Sequence, residues 1–495
     1  VNSKNLTKPI ILGLIVVGVI IALGIAFYNF VVLASVTMTV PQNAKLTISD
    51  LDGKNTQTID NTKSAQFRVT PGRYMIAAQT NTSRALAYVD ASFFSTITKN
   101  LELSQVLQAE PLSNGTAYNP LLQNGNLYFV DPTIQHVRRM TPDGTTTSVE
   151  DEGVDQDDDN SDAQSGGIYK SQPIGGDKLL VNNFNQLGVI ENGTYQQIDT
   201  EGIEGLNPLS ITLGGNSLQE SFVVAVNKTL YFYQNSKAKP QKIADMDKMV
   251  NQLAFGGKRV IAYSDSLAYS RENVESAYGN FAINPIVIDI DSKQTYELDG
   301  PLVQATVSPG GTYATLQSRK SDTLTTYNLQ NRQELYKAAR PSLAIPIWIN
   351  DKEYVYERDK VIWQSNVEQQ SNRALGVLLR NATSITTQNG TDFLVTSFTQ
   401  ETDQPKGHVY RLSKQPFASS LIAASETLPI SEDNYQIKFI NLDQPRLFIE
   451  TTTSVNNADD PAAMAAKQQQ LRNDALRALQ ANGLNPNDFT ITFTP

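Results

Sequence analysis

The stretch "VSPGGTYATL" (residues 307–316) sets a glycine pair between two apolar runs. Such a pair either wraps a phosphate or turns the chain between two strands. A phosphate loop needs GxxxxGK[ST] between a strand and a helix, so that backbone N–H groups and a lysine face the anion. No such spacing occurs in the chain. The turn reading, by contrast, repeats. "LQNGNLYFV" (122–130), "IGGDKLLV" (174–181), "LGGNSLQESFVVAV" (213–226), "FGGKRVIAY" (255–263), "INDKEYVY" (349–356) and "QNGTDFLVT" (388–396) each put a tight polar turn before an apolar-rich strand. The second turn residues are Gly125, Gly176, Gly215, Gly257, Gly311, Asp351 and Gly390, separated by 51, 39, 42, 54, 40 and 39 residues. A propeller blade takes roughly 40–50 residues.

Gly-Gly, Asn-Gly and Asn-Asp supply the positive φ that hairpin turns require. Further strand signals fill out the units, such as "PIVIDID" with "QTYELDG" and "LTTYNLQ" with "ELYKA". A four-stranded unit cannot bury both faces alone, whereas a closed ring of units can. The pattern predicts a seven-bladed β-propeller over residues 114–424. "VSPGGTYATL" also resembles the SPDGxxxA element of WD-like and TolB-like propeller repeats, with Gly310 in place of the aspartate. That resemblance implies a propeller used mainly for binding and sometimes for catalysis.

Composition narrows the function. The 495 residues carry a net charge of −10 and no cysteine. An acidic surface repels phosphate backbones, which argues against nucleic acid as a partner. Without cysteine there are no disulfides, thiolate metal sites or cysteine nucleophiles. With only His136 and His408, zinc sites and histidine-based triads have almost no material.

The run "PIILGLIVVGVIIALGIAFYNF" begins at Pro9, and no charged residue occurs between Lys8 and Lys45. About 20 apolar residues cross the hydrocarbon core as a helix, which satisfies every backbone polar group without water. Residues 9–35 are therefore expected to be a transmembrane anchor. Lys4 and Lys8 mark residues 1–8 as a cytoplasmic tail, with the bulk of the chain outside. A cleavable signal peptide is the rival, because "VLAS" (32–35) resembles a cleavage site; the apolar run exceeds the ~7–15 residues of a signal core. Gly18, Ala22 and Ala26 share the spacing of close helix contacts.

Residues 36–104 read as a small all-β domain. "KLTIS" alternates, and Asp52-Gly53 and Pro71-Gly72 mark turns. Pro41-Gln42-Asn43-Ala44 and Thr70-Pro71-Gly72-Arg73-Tyr74 resemble the name-giving tetrapeptide and the PGxY turn of the PEGA domain, a small β-sandwich of prokaryotic surface proteins. The resemblance implies a surface or structural module without catalytic residues. At the other end, residues 425–495 read as a ββαβ, α+β module: "NYQIKFI", "PRLFIET", a helix started by Pro461 and stopped by Gly483, and "DFTITF". Leu471, Ala475, Ala478 and Leu479 form its apolar stripe.

Two inserts lengthen the repeat. The acidic one, "SVEDEGVDQDDDNSDAQSGG" (148–167), alternates Asp155, Asp157, Asp159 and Asp162, the oxygen-rich pattern calcium takes. Asn160 and Gly166 stand where a full calcium loop has Gly and Glu, so a solvated acidic loop competes with calcium on 150–162. The other, "SLAYSRENVESAYGNFAIN" (266–284), offers Tyr269, Tyr278 and Phe281 as a candidate surface for a protein or glycan ligand. The rival is that these rings cover a neighbouring blade. No GxSxG elbow appears, and "TPDGTTT" (141–147) is a hairpin turn. No catalytic, cofactor or metal residue is assigned. The expectation is a membrane-anchored extracytoplasmic protein that binds or scaffolds through its propeller. A carboxylate-dependent hydrolase or lyase, or a structural subunit of an envelope assembly, are the alternatives.

Overall fold

Period-two patterning becomes strand through most of the chain. The computed structural model describes residues 17, 19, 33–50, 55–80, 83–131, 136–149, 168–183, 186–206, 210–264, 284–318, 321, 323–399, 406–414, 419–451 and 461–494. The apolar run from Pro9 lies outside these residues except at Val17 and Val19. So do the acidic residues Asp155, Asp157, Asp159 and Asp162 and the aromatic residues Tyr269, Tyr278 and Phe281. Among the described residues no helix is long and apolar enough to cross a membrane. The chain divides into two units, Val1–Val106 with Ser371–Ala374, and Leu107–Gln370 with Leu375–Pro495.

In the first unit, β1 (Ala34–Asp50) and β2 (Thr56–Val69) form a long antiparallel hairpin. β1 starts two residues before the expected domain boundary. Its even-numbered residues Val36, Met38, Leu46 and Ile48 are buried, as alternation dictates. The register shifts between Thr39 and Ala44, where Pro41, Gln42 and Asn43 are exposed. Proline cannot donate to a ladder and is confined to such irregularities. On either side of this bulge β1 has a different second neighbour. Ser35–Thr39 pair in parallel with β5 (Thr96–Asn100), and Lys45–Asp50 pair with β3 (Gly72–Gln79). β4 (Ser83–Ala91) and β6 (Ser104–Gln105) extend the sheet. Both halves of β1 enter one core with Phe67, Tyr74 and Leu101.

The second unit begins with β7 (Leu107–Asn114) and then repeats a four-strand meander. The first comprises β8 (Tyr118–Gln123), β9 (Asn126–Asp131), β10 (His136–Met140) and β11 (Thr146–Ser148). The second comprises β12 (Ile168–Ile174), β13 (Lys178–Asn183), β14 (Gln186–Glu191) and β15 (Thr194–Gln197). Next come β16 (Ile211–Asn216), β17 (Gln219–Val226), β18 (Thr229–Tyr233) and β19 (Gln241–Asp245). β20 (Gln252–Gly256), β21 (Arg259–Tyr263), β22 (Ile286–Asp289) and β23 (Thr295–Glu297) follow. After them stand β24 (Leu302–Val307), β25 (Tyr313–Ser318), β26 (Thr323–Asn328) and β27 (Gln333–Ala339). The sixth set is β28 (Ile347–Trp348), β29 (Glu353–Arg358), β30 (Val361–Asn366) and β31 (Ser371–Val377), of which Leu375–Val377 fall in this unit. The last is β32 (Ser384–Thr387), β33 (Phe393–Thr399) and β34 (Lys406–Ser413), with β7 as its fourth strand.

The first strand of each set is innermost. These strands neighbour one another in the order β8, β12, β16, β20, β24, β28 and β32, and β32 lies beside β8 again. This is a propeller-like arrangement, and β7 joins the start of the unit to its end. The repeating turns connect each first strand to its second. Asn124 (φ 50°) and Gly125 (φ 79°) make the β8–β9 turn with two successive positive φ values, the type I′ geometry that matches strand twist. One expected turn sits elsewhere: Gly214 and Gly215 belong to β16, and the chain turns at Ser217–Leu218. A Cβ on Gly215 would lie 2.6 Å from Ile174 Cγ2, so this glycine serves close sheet approach instead of a turn.

The C-terminal module adds α1 (Ser419–Thr427) and β35 (Ile430–Glu432) to the expected elements. β36 (Tyr435–Ile440), β37 (Arg446–Thr451), α2 (Pro461–Ala481) and β38 (Thr490–Thr494) follow. The sheet order is β35-β36-β37-β38. β38 lies parallel to β37, which requires the α2 crossover. One face of the sheet, with Ile437, Phe439, Leu447 and Ile449, packs on both helices. α1 contributes Leu421 and Ala424 to this core, and α2 contributes Leu471, Ala475 and Leu479. The opposite face presents Ile440 and Phe448, which pack with Leu112, Phe129 and Val409 of the propeller-like sheets. α2 is stopped at Gly483 (φ 77°), where the Leu484 N–H donates to Leu479 O at 3.0 Å.

Candidate functional site

The innermost strands enclose a cavity of about 340 Å³. All seven of them line it. Tyr118 and Asn119 come from β8, Gln172 and Pro173 from β12, and Leu213 and Asn216 from β16. β20 gives Gln252–Phe255 and β24 gives Ala305–Val307, while the β28 and β32 segments give 345–348 and 383–386. Among the described residues the lining holds amides, hydroxyls, aliphatic groups and aromatic rings, and no carboxylate, imidazole, amine or guanidinium.

Lys170 is the only charged residue on these seven strands. It does not line the cavity. Its Nζ donates to Ile211 O at 2.7 Å and to Thr212 Oγ1 at 3.2 Å, tying β12 to β16. Burial lowers its pKa.

The two ends of the cavity differ. At the turn end, the β16–β17 segment reaches past its neighbour. Asn216 Nδ2 donates to Val307 O at 3.3 Å, and Gln219 Oε1 accepts from the Gly257 N–H at 3.0 Å. Gln219 Nε2 also donates to Pro309 O. Backbone approach there is tight: a Cβ on Gly256 would lie 2.0 Å from Ser308 O. The Gly310 N–H donates to the Asp351 carboxylate.

At the other end, where the chain enters each inner strand, lining residues reach solvent. Tyr118 is 42% exposed and Ile345 53%, and Leu343 beside it is 64% exposed. This end is the mouth. Trp348 lies deeper, 3% exposed, with Nε1 donating to Thr306 Oγ1 at 3.0 Å and its ring stacked on Tyr313 at 6.5 Å. The Tyr263 hydroxyl accepts from the Ala305 N–H at 2.9 Å.

Of the residues singled out from sequence, Gly215 lines the cavity, while Tyr269, Tyr278, Phe281 and the acidic insert lie outside the described residues. Among the described residues no group of three or more His, Asp or Glu is placed to hold a metal ion. Most of the lining residues had a signal in the repeat itself, since they fall within a few residues before each recurring turn.

No family model matches the chain, and no curated protein matches it. Similar solved structures include WD40 propellers. The WD40 propeller domain of Doa1 is 11% identical, with a TM-score of 0.40, over 63% of this chain and 98% of that one. The Neurospora crassa Pan2 WD40 domain is 8% identical, with a TM-score of 0.39, over 61% of this chain and 90% of that one. A streptogramin B lyase is 9% identical, with a TM-score of 0.35, over 61% of this chain and 94% of that one. The fold assignment rests on the strand order above.

Proposed function

We propose that the chain is a non-catalytic binding or scaffolding protein whose second unit is a seven-bladed propeller, with the open mouth of its channel as the surface for a protein partner. One observation carries the reading: every inner strand lines a cavity with no ionised group among the described residues, and its mouth exposes Tyr118, Leu343 and Ile345. Exposed apolar side chains around a concave site are what partners bury. A carboxylate-dependent hydrolase or lyase needs an acidic group facing its substrate, and the described lining residues include none.

The apolar run from Pro9 and the lysines before it support a membrane anchor with the bulk of the chain outside the cell. The first unit then acts as a PEGA-like spacer. Protease treatment of intact cells should remove the chain beyond residue 35; full protection overturns this topology. For the mouth, Leu343→Glu and Ile345→Glu are compared with the unchanged protein in affinity capture. Partners that bind at the mouth are lost from the variants by tenfold or more, while the same partners retained on both variants reject the mouth as the surface.

A further inference from the structure

One side of the mouth is the connection from β27 to β28, Pro341–Pro346, which carries Leu343 and Ile345. Its root is tied to the β29–β30 turn by a compact polar cluster. The Ser342 N–H donates to Glu357 O at 2.9 Å, and Ser342 Oγ accepts from the Asp359 N–H at 3.1 Å. Arg358 donates through a terminal guanidinium nitrogen to Arg340 O at 2.9 Å and through Nε to Asp359 Oδ2 at 3.1 Å. Inside this cluster the Glu357 side chain is fully buried. Its Oε1 accepts from the Lys360 N–H at 2.7 Å, and its Oε2 has no hydrogen-bond partner.

We propose that Glu357 is a proton-operated latch on the Pro341–Pro346 connection, holding the rim of the mouth when neutral and loosening it when ionised. A buried carboxyl with one unpartnered oxygen tolerates a proton far better than a charge. Burial pushes Glu357 up to about 7, and Asp359 adds to the rise; the Lys360 N–H, the Ser342 hydroxyl and Arg358 oppose it. Arg358 is engaged by Asp359 and Arg340 O, so it does not neutralise Glu357 fully. The side chains around Val355 and Ile362 on these strands are apolar: Ala344, Leu378 and Ala382. Tyr410 in the same cluster stays neutral, because burial raises its phenol further, with Arg380 and Glu426 acting on it from the β31–β32 connection and α1.

The consequence, pH-dependent uptake of a ligand, rests on the mouth being the binding surface; the latch itself does not. The chain has two tryptophans, Trp348 two residues after Pro346 and Trp363 paired with Tyr356 across β29 and β30. Intrinsic fluorescence of the full chain therefore reports on this cluster without any ligand. Between pH 5.5 and 8.5 the emission should shift reversibly with a midpoint near 7, and Glu357→Gln should abolish the shift. Amide exchange of Leu343–Ile347, corrected for its intrinsic pH dependence, should quicken above the midpoint in the unchanged protein alone. A flat titration, or the same transition in Glu357→Gln, overturns the latch. Should that variant not fold, Ser342→Ala removes a group that favours the charged form and should move the midpoint upward; an unmoved midpoint overturns the proposal equally. None of these outcomes bears on whether partners bind at the mouth, which the glutamate variants at Leu343 and Ile345 test.

Discussion

Single positions in this chain answer to their neighbours in adjacent sheets. Gly310 stands where the resembled repeat has aspartate, and the structure supplies a reason. A Cβ there would lie 2.6 Å from both carboxylate oxygens of Asp351, which accepts from the Gly310 N–H. Both positions are exposed and the Asp351 side chain can swing aside, so Gly310→Asp should destabilise the protein by only about 0.5–1 kcal/mol, through like charge and loss of the Gly310 N–H bond. Chemical denaturation measures the loss, and Asp351→Asn in the same chain should restore part of it. Glu357 sets a second expectation. Its pKa is raised from an ordinary 4.5 to about 7, so the folded state holds a proton that the unfolded state releases between those values. Stability then falls as pH rises from about 4.5 to 7 and levels beyond. Glu357→Gln should flatten that part of the denaturation-midpoint profile between pH 4 and 8, and an unchanged slope would remove Glu357 from the account.

At the scale of elements, β7 is held from two sides. β34 pairs with it along Asn114–Gln108, and the C-terminal module meets it through Ile440 and Asn441. The Asn441 N–H donates to Leu112 O at 2.7 Å, its Nδ2 donates to Pro111 O at 3.1 Å, and Asn114 Nδ2 donates to Leu428 O at 2.5 Å. Phe448 is buried against Gly144, where a Cβ would lie 2.5 Å from the ring. Phe448→Ala should cost about 3–5 kcal/mol and speed amide exchange in β7 more than in β20. Equal acceleration in both strands would show a global effect instead of a local clamp. The sequence made the recurring turns legible because Asn124-Gly125 and its counterparts are local signals. It made α2 legible through Pro461, Gly483 and the Leu471–Leu479 stripe. β7 was not legible as a closing strand, because its partner β34 lies some three hundred positions away and pairing at that distance leaves no local pattern. α1 was missed because "SSLIAASET" carries no capping or amphipathic signal strong enough to separate it from a loop. The channel was legible only in outline: the repeat implied inner strands, while the exposure of Tyr118 and Ile345 depends on how those strands meet.

For the molecule as a whole, the placement of β7 makes the second unit's integrity depend on its first residues. The last four-strand set draws β32, β33 and β34 from the end of the repeat and β7 from before it. Removing β7 would leave the outer edge of β34 unpaired and take away Leu112, which is buried among Phe129, Val409 and Phe448. It would also orphan Arg411, whose Nε and terminal nitrogen donate to Glu110 Oε2 at 3.0 and 2.7 Å. An exposed strand edge beside an uncovered apolar patch invites association between chains. A chain spanning 107–495 should therefore unfold in one cooperative transition and remain monomeric. A chain spanning 115–495 should lose several kcal/mol of stability, a cost expected from opening a buried core, and self-associate. Calorimetry and light scattering on the two chains decide the matter. Equal stability and equal monomer content would show that β7 is dispensable, and that the inner strands alone hold the ring.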